Sequence, residues 1–169
     1  PSATKTYGYS RAGVLAAFIN AMALVAIAFY IFYEAGHRLV DYEMVRNEPW
    51  RIQAVVHRFF QGPAQCLIIT GGTGVGRRDL TIETVTPKLE KILPGFGELF
   101  RWLGYGEIGS AAILSRALCG VSRGRVVCCL PGSEAAVRLA LSKVLLPELP
   151  HLVWVASRSF LNALRARMP

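Results

Sequence analysis

A chain of 169 residues is long enough for one domain with a buried core and too short for two joined by a linker. Its 19 lysines and arginines against 11 carboxylates give a formal charge of +8, which favours anionic partners. The cations are scattered, with no long run and no interleaving with aromatic residues, so a nucleic-acid interface is not indicated.

The first chain feature is an anomaly. Gly13 to Phe32 are twenty consecutive uncharged positions in which only Asn20 is clearly polar, preceded by Lys5 and Arg11. This pattern suits a transmembrane helix or a signal-peptide core. It also suits a buried strand followed by a helix over Ala21 to Tyr33, apolar all round and in need of cover on every side, as at a subunit interface. An irregularity of the sequence upstream of Tyr33 would have the same appearance. The soluble reading is taken here, because the sequence after Phe32 is cytosolic in character. Residues 1–34 form an atypical segment, 35–155 the domain proper and 156–169 a tail.

From residue 35 the pattern is regular. Gly36 suits a helix C′ position, and Arg38 to Val45 alternates loosely as a strand. Asn47 followed by Pro49 reads as an N-cap and an early first-turn proline, opening a helix to about Phe60 with Ile52, Val55, Val56 and Phe59 on one face. Gly62-Pro63 ends it, and Cys66 to Ile69 is an apolar strand of the kind buried on both faces. Strands alternating with helices imply βαβ units and a mostly parallel sheet.

A glycine-dense loop, Thr70-Gly71-Gly72-Thr73-Gly74-Val75-Gly76-Arg77-Arg78-Asp79-Leu80-Thr81, follows this strand and precedes a predicted helix over Ile82 to Ile92. Glycines let backbone N–H groups approach a phosphate closely, and the helix start adds a positive dipole end. The loop has neither the Lys-Ser/Thr ending of a P-loop nor the spacing of a dinucleotide fingerprint. A tight structural turn explains the glycines equally well. Asp79 could hold magnesium against phosphates or serve as a salt-bridged cap.

A second candidate loop, Leu130-Pro131-Gly132-Ser133, lies between a strand over Arg125 to Leu130 and a helix over Glu134 to Leu146. Ser133 could cap that helix, or the two loops could share one cleft. Between them lie Glu98, Arg101 and Ser115-Arg116, either ligand contacts or surface ion pairs. The tail places Phe160, Leu161 and Leu164 at helical spacing and reads as a docking or frayed helix.

The four cysteines, Cys66, Cys119, Cys128 and Cys129, include no Cys-x-x-Cys, and His37, His57 and His151 lie far apart, so no zinc or haem pattern exists. Buried free thiols in a reducing, cytoplasmic setting fit best.

AGHRLVD from Ala35, TGGTGVGRRDLT from Thr70, GFGELFR from Gly95, EIGSAAILSRA from Glu107 and LPGSEAAVRLAL from Leu130 resemble the molybdenum cofactor biosynthesis family that includes molybdopterin adenylyltransferase. PELPHLVWV from Pro147 resembles the ending of archaeal members. The resemblance implies a three-layer α/β fold with a mostly parallel central sheet, assembly as homotrimers or homohexamers, and a cleft for molybdopterin. Catalytic members transfer adenylyl from ATP to molybdopterin, their substrate, with Mg2+. Carried over by motif, Gly71, Gly72, Thr73, Gly74 and Arg78 would line the phosphate site. Asp79 would be the catalytic and metal-linked acid. Ser110, Ser115, Arg116, Pro131, Gly132 and Ser133 would face the pterin and its phosphate.

Two departures from the family pattern stand out. The apolar run replaces a first strand ending in a Ser-Asp-like pair and the polar loop after it. Asn47 stands where active members place an aspartate, with Glu48 next to it as a possible substitute. The resemblance implies a molybdopterin adenylyltransferase, with a non-catalytic molybdopterin carrier as the alternative.

Overall fold

In a computed structural model of the chain, Met22 and residues 41–165 are described. The apolar run Gly13 to Phe32, apart from Met22, the start of the predicted strand at Arg38, and the end of the tail lie outside them. The chain divides into a unit Pro1–Met44 and a unit Val45–Pro169. Asp41 to Val45, expected to be part of a strand, form none: Tyr42 and Met44 are each 82% exposed, which leaves no buried face to fix a register.

In the second unit, α1 (Pro49–Gln61) starts with proline in the first turn, where its missing N–H costs nothing. Its N-cap is Glu48 rather than the predicted Asn47, and no side chain caps it. Ile52, Val56 and Phe59 are buried, one turn apart on a single face, with Val55 only half-buried. The chain then forms β1 (Cys66–Thr70), a short α2 (Thr81–Val85), and a 3₁₀ turn over Thr86–Lys88. A helix was predicted to Ile92. Pro87 has no N–H to continue it, and the chain turns into β2 (Lys91–Ile92) instead.

Next come α3 (Pro94–Ile108), a 3₁₀ stretch Gly109–Leu114, β3 (Leu118–Ser122) and β4 (Arg125–Leu130), the last with the bounds expected from sequence. A final helical run comprises α4 (Glu134–Leu139), a looser π-type segment Ala140–Leu145, and α5 (Leu146–Arg165). Phe160 docks this run against the β3–β4 turn, where Gly124 leaves room for the ring: a methyl there would lie 2.8 Å from Phe160 Cβ.

The described sheet has the order β1-β4-β3-β2. β1 pairs with β4 in parallel, Thr70 opposite Leu130, while β4–β3 and β3–β2 are antiparallel, so the described sheet is mixed and not mostly parallel as expected. Within it β1 is an edge strand, which explains why Ile68 is 37% exposed although burial on both faces was expected. Alternation along β3 and β4 sends residues to two cores. Val127, Cys129 and Leu118 meet Ile52, Val56, Phe59 and Val85 on the α1–α2 side. Cys119, Val126, Cys128 and Leu130 meet Phe96, Phe100, Val144, Leu145 and Ala156 on the α3–α5 side. Helices therefore cover both faces, giving three layers. The run Glu134–Ala163 is long and apolar enough to cross a membrane, but one face of it is this inner core. Fully burying each such Val or Leu contributes about 1.5–3 kcal/mol, which holds the carboxyl ends of β1 and β4 in place beneath the site.

Candidate functional site

Parallel pairing brings the carboxyl ends of β1 and β4 side by side, so the two loops that leave them meet. Gly71 N–H donates to Leu130 O at 2.9 Å, extending the ladder by one bond beyond the strands. Gly71 takes φ +91° and Gly72 φ +63°, conformations that side chains rarely tolerate. The loop is then tied to α2: Thr81 N–H donates to Gly72 O and Thr81 Oγ1 to Gly71 O, both at 2.9 Å. A cleft of about 330 Å³ opens here, lined by Gly71, Gly72, Thr73, Gly74, Asp79, Leu114, Ser115, Arg116, Pro131, Gly132 and Ser133.

Gly72, Thr73 and Gly74 donate no backbone N–H to another backbone carbonyl among the described residues. Such N–H groups are suited to an anion. Asp79 closes the far side of the loop: its N–H donates to Gly76 O at 2.9 Å and its Oδ2 accepts from Gly76 N–H at 3.0 Å. Its carboxylate packs over Gly74, where a methyl would lie 2.7 Å from Oδ2. Ser133 occupies the N-cap position of α4 but makes no side-chain cap bond, so its hydroxyl is not committed to the helix.

Among the described residues, Arg116 is the only cationic side chain lining the cleft. Its Nη2 donates to Glu83 Oε1 at 2.5 Å. That contact, reinforced by the carboxylate's own backbone N–H, holds the Glu83 carboxyl below the usual range. Glu83 and Leu114 are absent from the sequence reading. The signal for Glu83 was its place two residues beyond the glycine motif, on the helix the motif opens.

Four residues expected at the site stand elsewhere. Arg78 is exposed on the Gly76–Asp79 turn and does not line the cleft. Ser110 is exposed at the start of the 3₁₀ stretch, which delivers Leu114 and Ser115 to the cleft instead. Glu48 pairs with Arg51 at 2.7 Å. Asn47 donates its amide to Arg78 O and packs behind Gly72, where a methyl would lie 2.6 Å from Nδ2. It thus braces the glycine loop from outside the cleft. The Gly95–Arg101 motif contributes core packing through Phe96 and Phe100.

Residues 20–151 match the family model described as "Probable molybdopterin binding domain". The chain belongs to this family. It is 48% identical over 122 residues to molybdenum cofactor biosynthesis protein B of Bacillus subtilis, covering 71% of this chain and 72% of that protein. The protein of the same name from Halalkalibacterium halodurans is 37% identical over 155 residues, covering 90% and 84%. Among solved structures, a molybdenum cofactor biosynthesis protein B superposes with a TM-score of 0.68 at 44% identity, covering 70% of this chain and 75% of that one. The tungsten cofactor synthesizing protein MoaB from Pyrococcus furiosus superposes with a TM-score of 0.64 at 36% identity, covering 69% and 74%. The three-layer α/β architecture is thus the molybdopterin-binding fold, and the chain's place is in molybdenum cofactor biosynthesis.

Proposed function

We propose that the chain binds molybdopterin as substrate in the β1–β4 cleft and adenylylates it with Mg-ATP. The observation that carries this reading is the convergence of two backbone-lined loops, held together at Gly71 and Gly132, with Arg116 on the same wall. In the reaction, an oxygen of the terminal phosphate of molybdopterin attacks the α-phosphorus of ATP; the new P–O bond forms as the bond to pyrophosphate breaks, and pyrophosphate leaves. The N–H groups of Gly72 to Gly74 and the Arg116 guanidinium would orient the reacting phosphates, supplying proximity and charge neutralisation without a covalent intermediate. Ser115 and Ser133 would add hydroxyl contacts to the pterin end.

Among the described residues, Asp79 is the one carboxylate lining the cleft. With Oδ2 engaged by Gly76 N–H, its Oδ1 is left for a ligand. One carboxylate together with phosphate oxygens is an ordinary magnesium donor set, so the residues fit the ion. Magnesium bound there would offset the crowding of negative charge between nucleophile and triphosphate.

A second reading, a molybdopterin carrier without transferase activity, is favoured by Asn47, whose amide donates to Arg78 O and offers no charge toward a metal. Incubation with molybdopterin, ATP and magnesium, followed by chromatography for the adenylylated pterin, separates the two. Product formation supports the enzyme, and tight binding without turnover supports the carrier. A cytoplasmic setting belongs to the same proposal, resting on the free thiols. So does homo-oligomerisation to a trimer or hexamer, supported by the exposure of Trp102 and Tyr105 on α3, at 72% and 63%. A monomeric mass by light scattering would remove the oligomer from the proposal.

A further inference from the structure

We propose that Glu83 is a positioning residue, which holds the Arg116 guanidinium in the orientation that the anionic ligand of the cleft meets. The inference rests on the reading of the cleft as a molybdopterin phosphate site and adds a residue to it.

An arginine side chain is free to populate many rotamers. Arg116 sits on the connection between the 3₁₀ stretch and β3, where its own backbone is fixed by Arg116 N–H donating to Leu114 O at 3.1 Å. A guanidinium on so long a stem loses rotamer entropy when a ligand orders it, unless something has ordered it first. Glu83 provides that order from 33 residues away in sequence, through a contact of 2.5 Å between Nη2 and Oε1. Glu83 is itself well placed: it follows Thr81, which is buried and doubly bonded to Gly71 and Gly72, and it precedes the buried Thr84 and Val85. The pair therefore connects the glycine-loop side of the cleft to the Leu114–Arg116 side. A guanidinium carries five N–H donors in a fixed fork, so one carboxylate leaves donors for a phosphate.

Two effects oppose each other when Glu83 is removed. Its negative charge repels an anionic ligand, and its loss would tighten binding. Its hold on Arg116 preorganises the cation, and its loss would weaken binding. Glu83 and Arg116 have side-chain exposures of 49% and 32%, so solvent screens the repulsion at the distance of the ligand far more than it weakens the direct contact. Preorganisation wins. An ordinary surface ion pair would show neither effect.

The test is a double-mutant cycle read by isothermal titration with molybdopterin under anaerobic conditions, with thermal melting of each variant alongside. Glu83→Ala is expected to raise the dissociation constant about tenfold, the scale of a charge-assisted contact, and Glu83→Gln, which keeps an acceptor of the same shape, by about threefold. In an Arg116→Met background, Glu83→Ala is expected to bring no further loss, a non-additivity that a merely structural role would not produce. Should Arg116→Met weaken binding while Glu83→Ala and Glu83→Gln bind as tightly as the parent, the positioning role is overturned and the cleft reading stands. Should Arg116→Met itself leave the dissociation constant unchanged, both fall. If Glu83→Ala fails to fold, the Glu83→Gln arm of the same cycle decides.

Discussion

Gly132 and Gly71 meet backbone to backbone: a methyl group built on Gly132 would lie 3.1 Å from Gly71 Cα and 3.6 Å from Gly71 N. No flexible side chain stands between them that could give way. Gly132→Ala should therefore push the two loops apart, with a stability loss of about 1–3 kcal/mol from overpacking and a clear loss of molybdopterin affinity. Gly106→Ala is the contrasting change. Its methyl would meet nothing within 4 Å, inside α3, so it should stabilise by roughly 0.5–1 kcal/mol and leave affinity alone. Chemical denaturation and ligand titration of both variants check the pair; an unaltered affinity in Gly132→Ala would show that the loops need not touch.

Ser133→Ala separates helix capping from ligand contact. A serine that caps a helix costs about 1 kcal/mol when removed. Ser133 holds the N-cap backbone geometry, φ −74° and ψ 140°, without the cap bond. The stability loss should accordingly fall well below that value, while the dissociation constant for molybdopterin rises several-fold. A denaturation midpoint that drops with affinity unchanged would return Ser133 to the helix.

Alkaline pH should destabilise the fold through its thiols. Burial is the chief cause that pushes Cys129 up to about 12, and the adjoining thiols of Cys119 and Cys66, with burial, push Cys128 upward as well. Cys119 and Cys128 face each other across β3 and β4 with their sulfurs 2.8 Å apart. Cys128 and Cys129 keep their protons when folded and lose them when unfolded near pH 9. The unfolded state then binds fewer protons, so stability is full below that pH and falls as pH rises through it, by up to about 1.4 kcal/mol per unit for each thiol. Cys66 moves the other way, lowered mainly by its contact with Cys128, and is only half-buried. Denaturation midpoints from pH 8 to 11 and the order of alkylation check this, with Cys66 expected to react first. Flat midpoints across that range would contradict it.

Much of this was legible from the sequence because the signals were local. The strand Arg125–Leu130, the helix after Pro49 and the two loops each announce themselves within a dozen residues. The site residues of the two loops come together for a reason the sequence also contained, since both loops follow strands. Where expectation failed, a long-range or backbone term decided. Asn47 reads as a cap because Pro49 follows it; its partner, the Arg78 carbonyl, lies 31 residues away. The apolar pattern after Thr81 could not show that Pro87 would end the helix and leave Lys91–Ile92 to pair with Gly120 and Val121. Cysteine-containing Leu118–Ser122 carries too weak an alternation to stand out, because β3 is buried at nearly every position. Glu83 required knowledge of where Arg116 ends.

Asp79 and Asn47 have different duties: Asp79 closes the turn at Gly76 beside the cleft, and Asn47 holds the Arg78 carbonyl behind Gly72. In Asp79→Asn the amide oxygen can still accept from Gly76 N–H, so the turn that Asp79 closes at 3.0 Å should survive. Molybdopterin affinity should then change little, while adenylyl transfer falls on the order of a hundredfold, the scale of losing one key electrostatic group. In Asn47→Asp the side chain can no longer donate to Arg78 O, and two oxygens are left facing each other behind Gly72. Because Asn47 is exposed, water relieves part of that conflict, and the stability loss should be about 1 kcal/mol. Because position 47 lies behind the glycine loop and does not line the cleft, the added carboxylate should change the magnesium concentration needed for transfer little. The measurement is the transfer rate against magnesium concentration for wild type and both variants, with binding measured in parallel. Equal rates for wild type and Asp79→Asn would show that Asp79 serves the loop alone. An inactive wild type that gains turnover in Asn47→Asp would make the natural chain a carrier, in which the brace on the glycine loop has replaced the second charge.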